Sequence, residues 1–190
     1  MEQVTINVFK FEELSESAKE KARDWWKEGA LDYDWYESVY EQYSTALRLI
    51  GADCELRKYE NMKGETKYKP SFYFSGFYSQ GDGASIECDY QYNCLNKKKQ
   101  DKAIQAEFGE SEFAKFMIEQ ADKLRQLQKK VFYSASAKIR HRGHYYHSIC
   151  MRIDLGLDNH FNAETYDNTE VAIIEIFRKI ADSLYAALEK

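Results

Sequence analysis

Ser71 to Tyr92 reads SFYFSGFYSQGDGASIECDYQY, and this stretch decides the fold class. Two runs rich in aromatic and other strand-favouring residues flank Gln80-Gly81-Asp82-Gly83, where the glycines supply the positive φ angles that a tight turn needs. The pattern predicts a β-hairpin. On its second strand Ala84, Ile86, Cys88, Tyr90 and Tyr92 alternate with Ser85, Glu87, Asp89 and Gln91, giving an apolar face and a polar one. The first strand is bulky on both sides, with Phe72, Phe74 and Tyr78 set against Tyr73, Phe77 and Ser79. Such a strand is either covered twice or keeps one face for a partner.

Toward the N-terminus, Thr5 to Phe11 alternates like a strand. Ser15 caps a short helix carrying Ala18, Ala22, Trp25 and Trp26, which Gly29 is expected to stop. A second helix from about Asp34 places Tyr36, Val39, Tyr40, Tyr43, Ala46, Leu47 and Ile50 at helical spacing and ends at Gly51. Ala52 to Tyr59 reads as a strand, and Glu60 to Pro70 as a surface loop.

Toward the C-terminus, Lys98 to Lys130 is helical with a break at Gly109-Glu110-Ser111. Phe132 to His141 and His144 to Leu155 predict a second hairpin around Arg142-Gly143. Asp167 and Glu170 have capping-box spacing, and Val171, Ile174, Phe177, Ile180, Leu184 and Leu188 form the stripe of a closing helix. Hairpins outnumber strand-helix-strand units. The expected class is therefore α+β, a single domain over residues 1–190, with an antiparallel or mixed sheet built from hairpins and covered on one face by amphipathic helices.

Composition limits the function classes. The 27 Lys and Arg against 32 Asp and Glu leave a net charge of −5, which weighs against a dedicated nucleic-acid binder. A local route to nucleic acid remains through the Lys97, Lys98, Lys99 and Lys102 run with aromatic stacking, although such a run is commonly a solvated helix start. Cys54, Cys88, Cys94 and Cys150 form no C-x-x-C pair and read as reduced packing thiols, a cytoplasmic pattern. No stretch is long and apolar enough to suggest a membrane span.

Three groupings could carry chemistry. His141, His144 and His147 flank a turn with Arg140 and Arg142, but strand alternation separates His144 from His147, so no metal site is expected and no cofactor is implied. Imidazole titrates near neutrality and arginine makes charge-assisted bonds to anions, so the group suits an acid-base or anion-contacting role. The competing reading is an exposed polar turn. Glu87 and Asp89 share the polar face of the first hairpin and, with His144, could form a catalytic set if the hairpins pair; alone they are solvated charges. The third grouping is the outward rings. Together these give a binding set of Phe77, Tyr78, Gln80, Asp82, Arg140, Arg142, His144 and Tyr146. The Gln80 to Gly83 turn lacks the spacing of a phosphate loop.

The stretch Ser75-Gly76-Phe77-Tyr78-Ser79-Gln80-Gly81-Asp82-Gly83-Ala84-Ser85, followed by Arg142-Gly143-His144-Tyr145-Tyr146-His147, resembles a family of uncharacterised tailed-bacteriophage proteins. The Leu14-Ser15 opening and the Ala18 to Trp26 helix are similar too, and some members are labelled as the antitoxin of a toxin-antitoxin stability system. The resemblance implies an accessory protein of an infected bacterium, with no catalytic residues to carry over. The expected function is inhibition of a bacterial toxin or defence component, by binding a host protein or by sequestering a small anionic signal. A small hydrolase or nuclease using His144 with Glu87 or Asp89 is the alternative, and a nucleic-acid-binding protein is the third.

Overall fold

The structure is a computed structural model that describes residues 9–31, 35–60, 65–77, 79, 81–158 and 160–190. The chain divides into two compact units, residues 1–37 and 38–190. In the first, the expected strand at Thr5 to Phe11 lies at 5–8 outside the described residues, and Phe11–Glu13 is a 3-10 turn instead of a strand end. Helix α1 (Glu16–Leu31) begins where expected, with Ser15 Oγ accepting from the Ala18 N–H at 3.3 Å. It continues past Gly29, because one interior glycine costs only about 1 kcal/mol and does not by itself end a helix. Trp25, one of the apolar residues at helical spacing, is exposed.

In the second unit, helix α2 (Glu37–Leu49, its first residue in the smaller unit) ends before Gly51. Gly51 has φ +91°, and a Cβ there would lie 2.4 Å from the Gln91 carbonyl oxygen, so both conformation and space require glycine. The strands are β1 (Ala52–Cys54), β2 (Leu56–Glu60), β3 (Thr66–Pro70), β4 (Phe72–Ser75), β5 (Gly83–Ile86), β6 (Cys88–Gln91), β7 (Ser136–His141) and β8 (Met151–Gly156). Helices α3 (Lys97–Phe108), α4 (Glu112–Lys130) and α5 (Ala163–Leu188) complete the unit. The class is α+β, and every strand pairing is antiparallel.

The strands form a four-stranded sheet in the order β1-β6-β7-β8 and two ribbons, β2-β3 and β4-β5. All three meet at one point. The Glu55 N–H donates to the Glu87 carbonyl at 3.1 Å, the Glu87 N–H to the Ser71 carbonyl at 3.0 Å, and the Ser71 N–H to the Glu55 carbonyl at 2.7 Å. This closed triangle lets each chain segment exchange one partner strand for another without leaving these amide N–H groups unsatisfied. The expected strand at 52–59 is accordingly divided at Glu55. The expected 60–70 loop is in part strand β3, paired with β2 from Leu56↔Pro70 to Glu60↔Thr66.

Strand alternation places Cys88, Tyr90, Ala137, Ile139, Met151 and Leu155 on the helix-covered face, all buried. Tyr43 and Leu47 of α2, Met117 of α4, and Phe177, Ile180 and Leu184 of α5 are almost wholly buried as well, and α5 packs across β5 and β8. Burying one such side chain is worth about 1.5–3 kcal/mol, so this layer supplies much of the driving force. Polar links seat the helices: Tyr43 Oη lies 2.7 Å from Ser183 Oγ, and the Tyr40 hydroxyl donates to the Phe72 carbonyl. Gln128 bonds both polar groups of Ala135 and donates to the Tyr90 hydroxyl. On the free edge of β8, Arg178 donates to the Met151 carbonyl and Tyr166 to the Leu155 carbonyl, which blunts that edge against further strand pairing.

Other departures from expectation are local. The break at Gly109 occurs, with Asn96 and Ser111 capping α3 and α4. Only Met151–Gly156 of the second strand of the later hairpin is strand; residues 142–150 form a connection that includes the 3-10 turn Ser148–Cys150. Helix α5 starts one turn earlier than the Asp167-Glu170 spacing suggests, capped by Asn162, and Val171 is exposed. Phe132 and Tyr133 both have positive φ, 52° and 62°, at the centre of a turn closed by the Ser134 N–H on the Val131 carbonyl. Asn-Gly ordinarily fills such a turn, and bulky residues there cost about 1–3 kcal/mol each.

Candidate functional site

The polar face of the four-stranded sheet carries mostly exposed side chains. Asp89 and Gln91 of β6, Lys138 of β7, and Arg152 and Asp154 of β8 are exposed, and Arg140 is half-buried. Register aligns Asp53, Asp89, Lys138 and Asp154 across the four strands, and sets Arg140 directly opposite Arg152. Like charges facing each other across a ladder destabilise it. Arg140 is compensated by Asp89, 2.8 Å from its Nη2, and by Glu55, 3.3 Å from its Nε. Among the described residues Lys138, Arg142 and Arg152 form no ion pair.

These cations gather in a groove of about 330 Å³ lined by Lys138, Arg140, Arg142, Arg152, Ile153 and Asp154. A second groove of about 350 Å³ shares Lys138 and Asp154 and extends toward Gln91, Ser136 and Gly156 at the other end of the strands. Arginine presents a planar fork of donors suited to carboxylate or phosphate oxygens. The groove's own lining thus offers four cationic side chains and one carboxylate, Asp154, with Asp89 and Glu55 beside it holding Arg140.

Beside it, the two turns expected to carry function come together. A Cβ on Gly81 would lie 3.0 Å from Tyr145 Cδ1, and one on Gly83 would lie 3.0 Å from His147 Cδ2 and 3.1 Å from the Tyr146 carbonyl oxygen. The two glycines let the 142–150 connection lie against the β5 end of the hairpin. Tyr146 then stacks on Tyr73 with ring centres 5.2 Å apart, while the Arg57 guanidinium sits 4.5 Å from the Tyr73 ring centre. The bulky β4 strand is therefore flanked on both sides: Phe72 and Phe74 meet Tyr40 of α2, and Tyr73 meets Tyr146.

Glu87 stands between these parts. One carboxylate oxygen accepts from the His141 N–H at 3.1 Å and the other from the Tyr73 hydroxyl at 3.2 Å. Burial, and then the Glu87 charge, raise the Tyr73 phenol above its ordinary pKa, so it remains protonated as the donor. The carboxylate completes the edge of β7 where the β5-β6 segment turns away from it.

The remaining predicted residues are dispersed. His144 is exposed with its ring edge-on to Tyr145, and it is the His141 backbone, not His144, that meets Glu87. Asp89 pairs with Arg140. Asp82 accepts from the Ser79 N–H at 2.5 Å and closes its own turn. Phe77 stacks on Tyr185 of α5 with ring centres 5.4 Å apart, on the helix side and away from the open face. Tyr78 and Gln80 lie outside the described residues. Lys97 opens α3 paired with Asp101 and Asp122, a solvated helix start. No group of three metal-ligating side chains occurs among the described residues. No described helix is long and apolar enough to cross a membrane.

Sequence reasoning singled out Arg140 and Arg142 but passed over Lys138. Their shared parity was legible in the sequence, whereas the alignment of Lys138 with Asp154 follows only from the β7-β8 register.

The family model described as Domain of unknown function (DUF8835) matches residues 35–190. The match covers most of the chain, and the chain belongs to that family. No curated protein and no solved structure matches it.

Proposed function

We propose that this protein is a non-catalytic binding protein that sequesters a small anionic ligand on the open face of its four-stranded sheet. The observation that carries the proposal is the groove in which Lys138, Arg142 and Arg152 form no ion pair among the described residues while Arg140 and Arg152 oppose each other across the ladder. Arg140 is already paired with Asp89 and Glu55, so the charge left to an anion is that of Arg152, Arg142 and Lys138 around it. Glu87 accepts from the His141 backbone N–H and the Tyr73 hydroxyl, and the His144 ring lies against Tyr145 instead, which supports binding over the His144–Glu87 acid-base reading. The setting we assign is that of a bacteriophage accessory protein in the cytoplasm of an infected bacterium, where removing an anionic signal disarms a toxin or defence component.

Calorimetric titration with phosphate, mononucleotides and cyclic nucleotides tests the proposal. A phosphorylated ligand should bind with an affinity that falls as salt rises, and the Arg142→Ala/Arg152→Ala double substitution should weaken it about 100-fold. Absence of binding by every anion at millimolar concentration, or binding unchanged by the double substitution, would refute it.

A further inference from the structure

Cys54 of β1 and Cys88 of β6 are register partners. The hydrogen bonds around them fix the kind of pair they make. The Gln91 N–H donates to the Gly51 carbonyl and the Glu55 N–H to the Glu87 carbonyl, so hydrogen-bonded pairs fall at 51/91, 53/89 and 55/87. The 54/88 pair is the intervening, non-hydrogen-bonded kind, whose Cα atoms approach to about 4.5 Å with side chains on the same face. That separation lies within the span a disulfide bridges. Both thiols are free in the structure.

We propose that Cys54 and Cys88 are an oxidisable pair that closes into a cross-strand disulfide at the base of the junction between the four-stranded sheet and the two ribbons. With hydrogen peroxide as oxidant, the Cys54 thiolate attacks one peroxide oxygen, the O–O bond breaks and hydroxide leaves, giving a sulfenic acid. The Cys88 sulfur then displaces that hydroxyl, which departs as water with the Cys88 proton, and the S–S bond forms. In total, two thiols and one peroxide yield one disulfide and two waters. Cys54 is the entry thiol because it is half-buried on a three-residue edge strand, whereas Cys88 has no exposed surface. The bond would enclose residues 55–87, which comprise both ribbons, in one covalent loop.

The surroundings set the conditions. Burial raises the Cys54 thiol to about 11 and holds the Cys88 thiol well above the usual thiol range. Ser44 and Arg48 of α2 and Asp53 of β1 act on Cys54, while Cys54 itself, Arg140, Asp89 and Asp53 act on Cys88. Because the thiolate is the nucleophile, the pair is slow to oxidise at neutral pH and faster in alkali.

The test is peroxide treatment of the full chain carrying Cys94→Ser and Cys150→Ser, followed by non-reducing peptide mapping. The expected product links the Cys54 and Cys88 peptides, forms about tenfold faster per pH unit from 7 toward 10, and raises the thermal midpoint by about 8 °C until a reductant is added. Cys54→Ala should abolish the link and the shift. Stable sulfinic acid at Cys54, intermolecular disulfide, or a rate independent of pH would overturn the proposal. If Cys54→Ala does not fold, the map of the protein retaining both thiols decides alone. Anion binding plays no part in this assay.

Discussion

The two faces of the four-stranded sheet share one backbone and obey opposite rules. On the helix-covered face, Cys88, Ile139 and Met151 are wholly buried, and nearly every atom has a packing neighbour inside the molecule. On the open face, Lys138, Arg142 and Arg152 form no ion pair among the described residues, although Lys138 stands in register between Asp89 and Asp154, and Arg140, paired with Asp89 and Glu55, faces Arg152. A face that supplied only stability would pair its charges or keep like charges apart. The contrast teaches that burial is concentrated on one side of these strands, and it is the other side that the proposed anion binding would use.

Four experiments would break or sharpen that contrast. The largest effect belongs to the covered face: Phe177→Ala removes a fully buried ring packed near Tyr90 and should cost about 3–5 kcal/mol in urea unfolding. Next comes an alkaline loss from the same face. The Cys54 thiol titrates near 11 when folded, above its unfolded value, so unfolding releases the proton at lower pH. Its contribution is complete below about pH 8.5 and is lost progressively as pH rises to 11, by about 2–3 kcal/mol, and Cys54→Ala should flatten that limb. Glu87→Ala, between the two faces, leaves the His141 N–H and the Tyr73 hydroxyl without their acceptor and should cost about 1–3 kcal/mol by the same unfolding measurement. The smallest change is expected from Arg152→Ala, within about 0.5 kcal/mol and on the stabilising side because it relieves Arg140. A large loss of stability there would erase the distinction between the faces.

Legibility in the sequence follows the range of the interactions. The hairpin around the glycine-rich stretch, the break at Gly109 and the cap at Ser15 could be read because one or a few neighbouring residues determine them, although β4 ends at Ser75, opposite Gly83, earlier than the tight turn at Gln80 to Gly83 requires. Strand β3 was hidden in a charged stretch ending in proline. It exists because β2 and the junction offer it partners, which no local pattern announces. The opposite error occurred at 144–150, where Tyr145, His147 and Ile149 alternate like a strand although the chain turns; the Cys150 N–H bonds back to the His147 carbonyl. At the candidate site, the arginines of the later turn were legible as an anion-contacting group. Their placement near Lys138 required the register of two strands, and Glu87 looked catalytic because its two fixed donors come from elsewhere in the fold.

The hydrogen-bonded triangle of Glu55, Ser71 and Glu87 bears on how the molecule assembles. Ser71 lies midway in sequence between the other two, so no corner can be secured by a short local loop, and each waits on a distant one. Neither ribbon has enough strands to persist by itself. The junction should therefore form as a single late event, and in hydrogen exchange its three amides should open together, with one common protection, as the signature of a cooperative unit.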